Sequence, residues 1–170
     1  MALKFGSMNI LLTTGKGVGR TPIAAFDAAL KDAGVYNYNL IYLSSVIPPK
    51  AKIKFEKIEE NPKEWGNRLY IVKAEMRSRQ SGKYISAALG WCQFDDGRGI
   101  FVEHEETGET REAVEANLNA EVQKSLADMC RTRGFPADKK KFHTKICTTK
   151  VDNLPASVIV VAVYKSEKWG

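Results

Sequence analysis

The sequence predicts an α+β domain built from mainly antiparallel sheets, and three features of its 170 residues carry that prediction. Short segments of alternating or apolar character, joined by turns, dominate the chain, and several of them are arranged as hairpins. Only two segments have the 3.6-residue apolar spacing of a helix, Thr21–Gly34 and Thr110–Arg133, so each helix is available to cover one sheet. The run Val158-Ile159-Val160-Val161-Ala162-Val163 is apolar throughout, which requires a strand covered on both faces. The predicted order is strand, helix, four strands, helix, two strands, in a single domain spanning residues 1–170.

In chain order, Asn9–Thr14 is the first strand and leads into Gly15-Lys16-Gly17-Val18-Gly19-Arg20. A phosphate-binding loop needs a Gly-Lys-Ser/Thr ending, and a dinucleotide fingerprint needs a third glycine where Arg20 stands. Both patterns fail, and the segment is expected to be a turn that lets the chain approach another backbone closely. Thr21 and Pro22 have the chemistry of an N-cap and first helical residue, Ile23, Phe26, Leu30 and Ala33 form an apolar stripe, and Gly34 ends the helix. Asp27 falls at the border of that stripe, where a helix can present a carboxylate to a cleft.

The second strand, Asn39–Leu43, runs into Ser44-Ser45-Val46-Ile47-Pro48-Pro49. The prolines lack backbone donors and stiffen the extended peptide that holds the two serines. A serine hydroxyl held against the preceding carbonyl carbon can attack it. Asn39 and Ser45 share a face of the strand but lie roughly 20 Å apart if it is straight. For both to serve one site, the chain must bend or two copies must contribute.

Residues 51–65 read as a charged surface excursion. Strands follow at Leu69–Met76, Tyr84–Phe94 and Gly99–Glu105, with a polar turn at Arg77–Gly82 and a hairpin at Asp95-Asp96-Gly97. Alternation places Glu103 on the face of Phe101, and His104 with Ile100 and Val102 on the other, as a packed histidine. A carboxyl held beside apolar bulk is harder to ionise, which suits a group that stores a proton for donation. The second helix carries Val114, Leu118, Val122, Leu126 and Met129 on one stripe, and strands at Lys141–Thr149 and Ser157–Tyr164 complete the fold.

The net charge of +6 permits nucleic-acid binding, but the lysine groups at 50–57 and 139–141 lack stacking aromatics and any helix-turn-helix pattern, so no nucleic-acid partner is expected. The chain contains no apolar run of membrane-spanning length, and Met1–Gly6 lacks a signal-like apolar core. A cytoplasmic location without membrane association is expected. Cys92, Cys130 and Cys147 have no metal-type spacing and are expected to be reduced and mostly buried.

Thr21–Leu30, Asn39-Leu40-Ile41, Ser44–Pro49, Ile85-Ser86-Ala87-Ala88 and Glu103-His104-Glu105 together resemble the pyruvoyl-dependent arginine decarboxylases, the Ser-Ser-Val-Ile-Pro-Pro element being the specific part. The resemblance implies a four-layer α/β/β/α sandwich, a trimer or a multiple of one, and active sites at subunit contacts. It further implies self-cleavage between Ser44 and Ser45 into chains 1–44 and 45–170, with Ser45 becoming a covalent pyruvoyl group, and no metal or pyridoxal phosphate. The implied reaction converts arginine to agmatine and carbon dioxide through a Schiff base, a step of polyamine biosynthesis. By the same resemblance, Ser44 supplies the scissile carbonyl, Glu103 is the proton donor, Asn39 serves processing and the site, and Asp27 binds substrate. The competing readings are a pyruvoyl enzyme for another amino acid and an uncleaved, non-catalytic basic binding protein.

Overall fold

The computed structural model describes residues 7–170; the reading of Met1–Gly6 lies outside them. The elements are β1 (Asn9–Val18), α1 (Pro22–Asp32), β2 (Asn39–Tyr42), β3 (Val46–Ile47), β4 (Lys52–Phe55), β5 (Arg68–Ser78), β6 (Tyr84–Gln93), β7 (Gly99–Gly108), α2 (Arg111–Thr132), β8 (Phe142–Lys150) and β9 (Ala156–Glu167). One sheet has the order β2-β5-β9-β1-β4 and the other β3-β7-β6-β8. All pairings are antiparallel except β1 with β4 and β2 with β5.

Three apolar clusters make this an α/β/β/α sandwich. Ile10, Leu12, Val72, Val158 and Val160 of the five-stranded sheet meet Ile85, Leu89, Trp91 and Phe101 of the four-stranded sheet. Phe26, Ala29 and Leu30 of α1 pack on Ile71, Ile159 and Val161. Leu118, Val122 and Leu126 of α2 pack on Ala88, Ile100 and Val102. Strand β9 supplies alternate residues to both of the first two clusters, as its unbroken apolar run requires.

Both helices begin as their sequences dictate. The Thr21 hydroxyl accepts from the Ala24 amide and the Thr110 hydroxyl from the Ala113 amide, each satisfying a donor that the first turn leaves free. Gly34, at φ +81°, follows α1 in the left-handed conformation expected of its stop residue. The predicted stripe of α1 holds at Phe26, Leu30 and Ala33 but not at Ile23, which is 62% exposed; Ala25 and Ala29 are buried in addition, because the helix rests on its small residues.

The glycine-rich segment is not a turn. Strand β1 continues through it, because Gly15, Gly17 and Val18 pair with Ile159, Ser157 and Ala156 of β9. The close backbone approach predicted for it is present. A Cβ on Gly15 would stand 2.0 Å from the Ala29 carbonyl oxygen, and one on Gly17 would stand 2.3 Å from the Ala29 nitrogen. Gly15→Ala should therefore lower stability by roughly 3 kcal/mol, since α1 must lift off the sheet. A urea titration read at the midpoint checks this, with an unchanged midpoint as the contrary result.

The excursion at 51–65 also holds more structure than its charge suggests. Strand β4 within it pairs in parallel with β1, and Pro62–Glu64 forms a 3₁₀ turn capped by Asn61. No helix among the described residues is long and apolar enough to cross a membrane.

Candidate active site

Between β2 and β3 the chain leaves one sheet and joins the other, and Ser44 and Ser45 occupy this crossing. Either side of it is clamped. The Leu43 amide donates to the Ile71 carbonyl at 2.8 Å, holding the upstream end on β5. Downstream, the Phe101 amide donates to the Ser45 carbonyl at 2.8 Å, and Val46 and Ile47 pair with Ile100 and Gly99. The Tyr164 hydroxyl, reaching from β9, donates to the Val46 carbonyl at 2.9 Å.

Ser45 has a φ of +62°, a left-handed conformation that costs a non-glycine residue about 1–3 kcal/mol. The clamps on both sides hold it there. Its hydroxyl donates to Oε1 of Glu103, so the side chain rests on a carboxylate. Glu103 lies on the inter-sheet face of β7 with the buried Phe101, as alternation predicts. The Phe101 ring meets Tyr164 edge-on at 6.4 Å between centroids. Burial, and then the charge of Glu103, push the Tyr164 hydroxyl above the ordinary phenol range, so it remains a donor at physiological pH.

Ser44, Ser45, Glu103, Phe101 and Val102 line a cavity of about 390 Å³ with His104, Ser125 and Met129. His104 faces α2, where its Nε2 lies 2.9 Å from the Ser125 Oγ; it is a packed histidine, as its position on the strand predicts. Sequence reasoning missed Tyr164, Ser125 and the Phe101 amide. Tyr164 had one usable signal: it follows Val158, Val160 and Ala162 at period two, so it is the first hydroxyl at the end of an inter-sheet row. Tyr164→Phe leaves the Val46 carbonyl without this donor. If the chain cuts itself at this joint, as the resemblance implies, loosening it should slow that cleavage by roughly 3- to 10-fold, the worth of one such bond. A time course on denaturing gels checks it, with unaltered cleavage as the contrary result.

The structure brings Ser44, Ser45 and Glu103 together but not Asn39 or Asp27. Asn39 opens β2, where its Nδ2 donates to the Gly66 carbonyl at 2.6 Å. Asp27 is exposed on α1. Neither residue lines the cavity at Ser45. The chain does bend between Tyr42 and Val46, yet the bend does not carry Asn39 to Ser45.

A family model described as pyruvoyl-dependent arginine decarboxylase matches residues 9–168. The chain belongs to the pyruvoyl-dependent arginine decarboxylase family. Among the proteins bearing that name, one from Thermoplasma volcanium is 32% identical over 167 residues, covering 93% of this chain and 90% of its own. One from Methanococcus aeolicus is 31% identical over 161 residues, covering 91% and 88%. One from Halobacterium salinarum is 42% identical over 94 residues, covering 55% of this chain and 58% of its own. Membership in this pyruvoyl-dependent decarboxylase family gives the strained Ser44–Ser45 joint a chemical context that its geometry alone does not name.

Proposed function

We propose that this enzyme cuts itself between Ser44 and Ser45 and that residue 45, as a pyruvoyl group, decarboxylates arginine to agmatine in polyamine biosynthesis. The reaction class and substrate follow from the family; the observation that supports the residue assignment is the left-handed Ser45 whose hydroxyl rests on Glu103.

In the cleavage, Glu103 accepts the Ser45 proton as Oγ bonds to the Ser44 carbonyl carbon. The C–N bond breaks, the freed nitrogen takes up a proton, and an ester joins the two halves. Loss of the residue-45 Hα as a proton, with departure of Oγ as part of the Ser44 carboxylate, leaves dehydroalanine. Water then replaces its nitrogen, releasing ammonia and leaving the ketone. Chains 1–44 and 45–170 result, and the strained backbone of Ser45 favours this course.

The site fits the group so formed. Its ketone would face the Glu103 cavity, and its amide carbonyl is the Ser45 oxygen already bound by the Phe101 amide. When formed, the pyruvoyl group condenses with the substrate amine and takes up the electrons left as carbon dioxide departs. Neither a metal nor pyridoxal phosphate enters this scheme. Glu103 returns a proton to the former α-carbon, beside the apolar Phe101 ring. The Phe101 amide holds the carbonyl in line throughout.

Asp27 pairs with the substrate guanidinium in a bidentate fork, and Asn39 hydrogen-bonds at the processing joint. Because both lie away from the Ser45 cavity of their own chain, they reach it from another subunit, which supports a trimer or a multiple of it. Tyr42 and Val46, 59% and 55% exposed beside the joint, are apolar surface suited to that contact. The enzyme works in the cytoplasm on a small-molecule substrate, without nucleic-acid or membrane partners.

The intact mass of the purified protein tests the reading. Two fragments are expected, the larger with a pyruvoyl rather than a serine N-terminus. A single full-length chain in enzyme that releases carbon dioxide from arginine, or a larger fragment beginning with serine, overturns it.

A further inference from the structure

Cys92 of β6 and Cys130 in the last turn of α2 place their sulfurs 3.4 Å apart in the core between that helix and its sheet. Cys147, the remaining thiol, lies in the inter-sheet core and is directed at the Gly15 carbonyl, so it takes no part in this pair. Cys92 also lines a cavity of about 310 Å³ with Phe94, Phe135 and Lys141, separate from the cavity at Ser45. Cys92 is only 2% exposed and Cys130 is fully buried, so a small reagent in that cavity meets Cys92 only when its wall opens locally. Met129, adjacent in sequence to Cys130, and Ser125, one turn earlier, line the Ser45 cavity.

We propose that Cys92 and Cys130 are an oxidisable dithiol that closes to a disulfide by exchange with a small-molecule disulfide, and that closure shifts the α2 wall of the Ser45 cavity. The thiolate of Cys92 attacks one sulfur of the reagent, whose S–S bond breaks and releases a first thiol. Cys130 then attacks Cys92 in the mixed disulfide and releases the second. Two protein thiols lose two electrons; the reagent gains them, and the two protons, as two thiols. Burial, then the hydrogen bond with Cys130, push the Cys92 thiol up, so the exchange is slow and the pair stays reduced in a reducing cell. A disulfide holds its sulfurs about 2.05 Å apart; side-chain rotation takes up part of the difference, and the proposed shift of the last turn of α2 toward β6, carrying Met129, takes up the rest. The shift matters to catalysis only if the Ser45 cavity is the active site, as proposed above, whereas bond formation itself does not depend on that reading.

Cystamine is small enough for the cavity and serves as the probe. The mature protein is incubated with it, quenched with acid, unfolded and alkylated, and its mass and peptides are measured. One alkylated cysteine, Cys147, and a peptide pair joined through Cys92 and Cys130 are expected. Turnover of arginine should fall several-fold and return with dithiothreitol, while Cys130→Ala should escape the loss. Three alkylated thiols after prolonged incubation, a bond that includes Cys147, or persistent mixed disulfides overturn the dithiol. A Cys92–Cys130 bond with unaltered turnover overturns the coupling to the cavity.

Discussion

Ser45→Ala should yield a folded protein of one full-length chain, with no measurable release of carbon dioxide from arginine. The expectation has two parts because the proposed mechanism uses the hydroxyl twice. It is the only atom of residue 45 able to attack the Ser44 carbonyl, so the amide stays intact; and it is the oxygen whose departure turns residue 45 into the electron-accepting ketone. Loss of either step removes the reactive group, so turnover falls below detection, unlike the partial losses seen when a supporting group is removed. Folding should survive. The Ser45 hydroxyl is bonded to Glu103 at the rim of the inter-sheet core, while the clamps at Leu43, the Ser45 carbonyl and Val46 are all made by backbone atoms that alanine retains. The left-handed φ persists with alanine at a cost of about 1–3 kcal/mol. Denaturing electrophoresis, circular dichroism and carbon dioxide release from labelled arginine make the three measurements. Cleavage of this variant at the same joint would remove Ser45 as the nucleophile, and activity in the uncut chain would remove the pyruvoyl group from the mechanism.

The fold was largely legible because its patterns are local. A period of two marks β7, a period near 3.6 marks α2, and an unbroken apolar run marks β9, each readable from neighbouring residues. Where reading failed, a distant partner had overridden local preference. Glycines 15 and 17 are poor strand formers, yet β9 pairs with them and α1 needs their lack of side chains. Strands β3 and β4 are too short to carry a period, and exist because β7 and β1 offer them free edges. Ile23 fits the helical stripe, but α1 meets the sheet through Ala25 and Ala29 instead.

The site divides in the same way. The Ser-Ser joint and its proline backing are contiguous and therefore visible. Glu103, 58 residues from Ser45, was found through the resemblance together with alternation on its strand. Tyr164 lies 118 residues beyond Val46, and only the packing of one sheet on the other brings its hydroxyl to the Val46 carbonyl. Asp27 and Asn39 lie apart from the Ser45 cavity within one chain, so no pattern read along a single subunit brings them to it; the roles proposed for them need a second copy.

Glu103→Gln should separate cleavage from turnover. In the uncut chain Glu103 accepts a hydrogen bond from the Ser45 hydroxyl, and a glutamine oxygen can still accept it while being far weaker as the proposed base. The strain at Ser45 and the clamps on the backbone either side of it are unchanged by the substitution, so the proposed attack on the Ser44 carbonyl stays open, and cleavage should be slower yet reach completion. Turnover has no such reserve. Every cycle needs a proton delivered to the former α-carbon, and an amide does not supply one; loss of a positioned acid costs about 10²–10⁴-fold. The expected product is therefore a cleaved, pyruvoyl-bearing protein with kcat reduced by about that factor and KM little changed, because Glu103 acts after the substrate is bound. Intact mass combined with steady-state kinetics distinguishes the outcomes. Normal turnover would take Glu103 out of proton donation, whereas an uncut chain would make it the indispensable base of processing and move its main role to the joint.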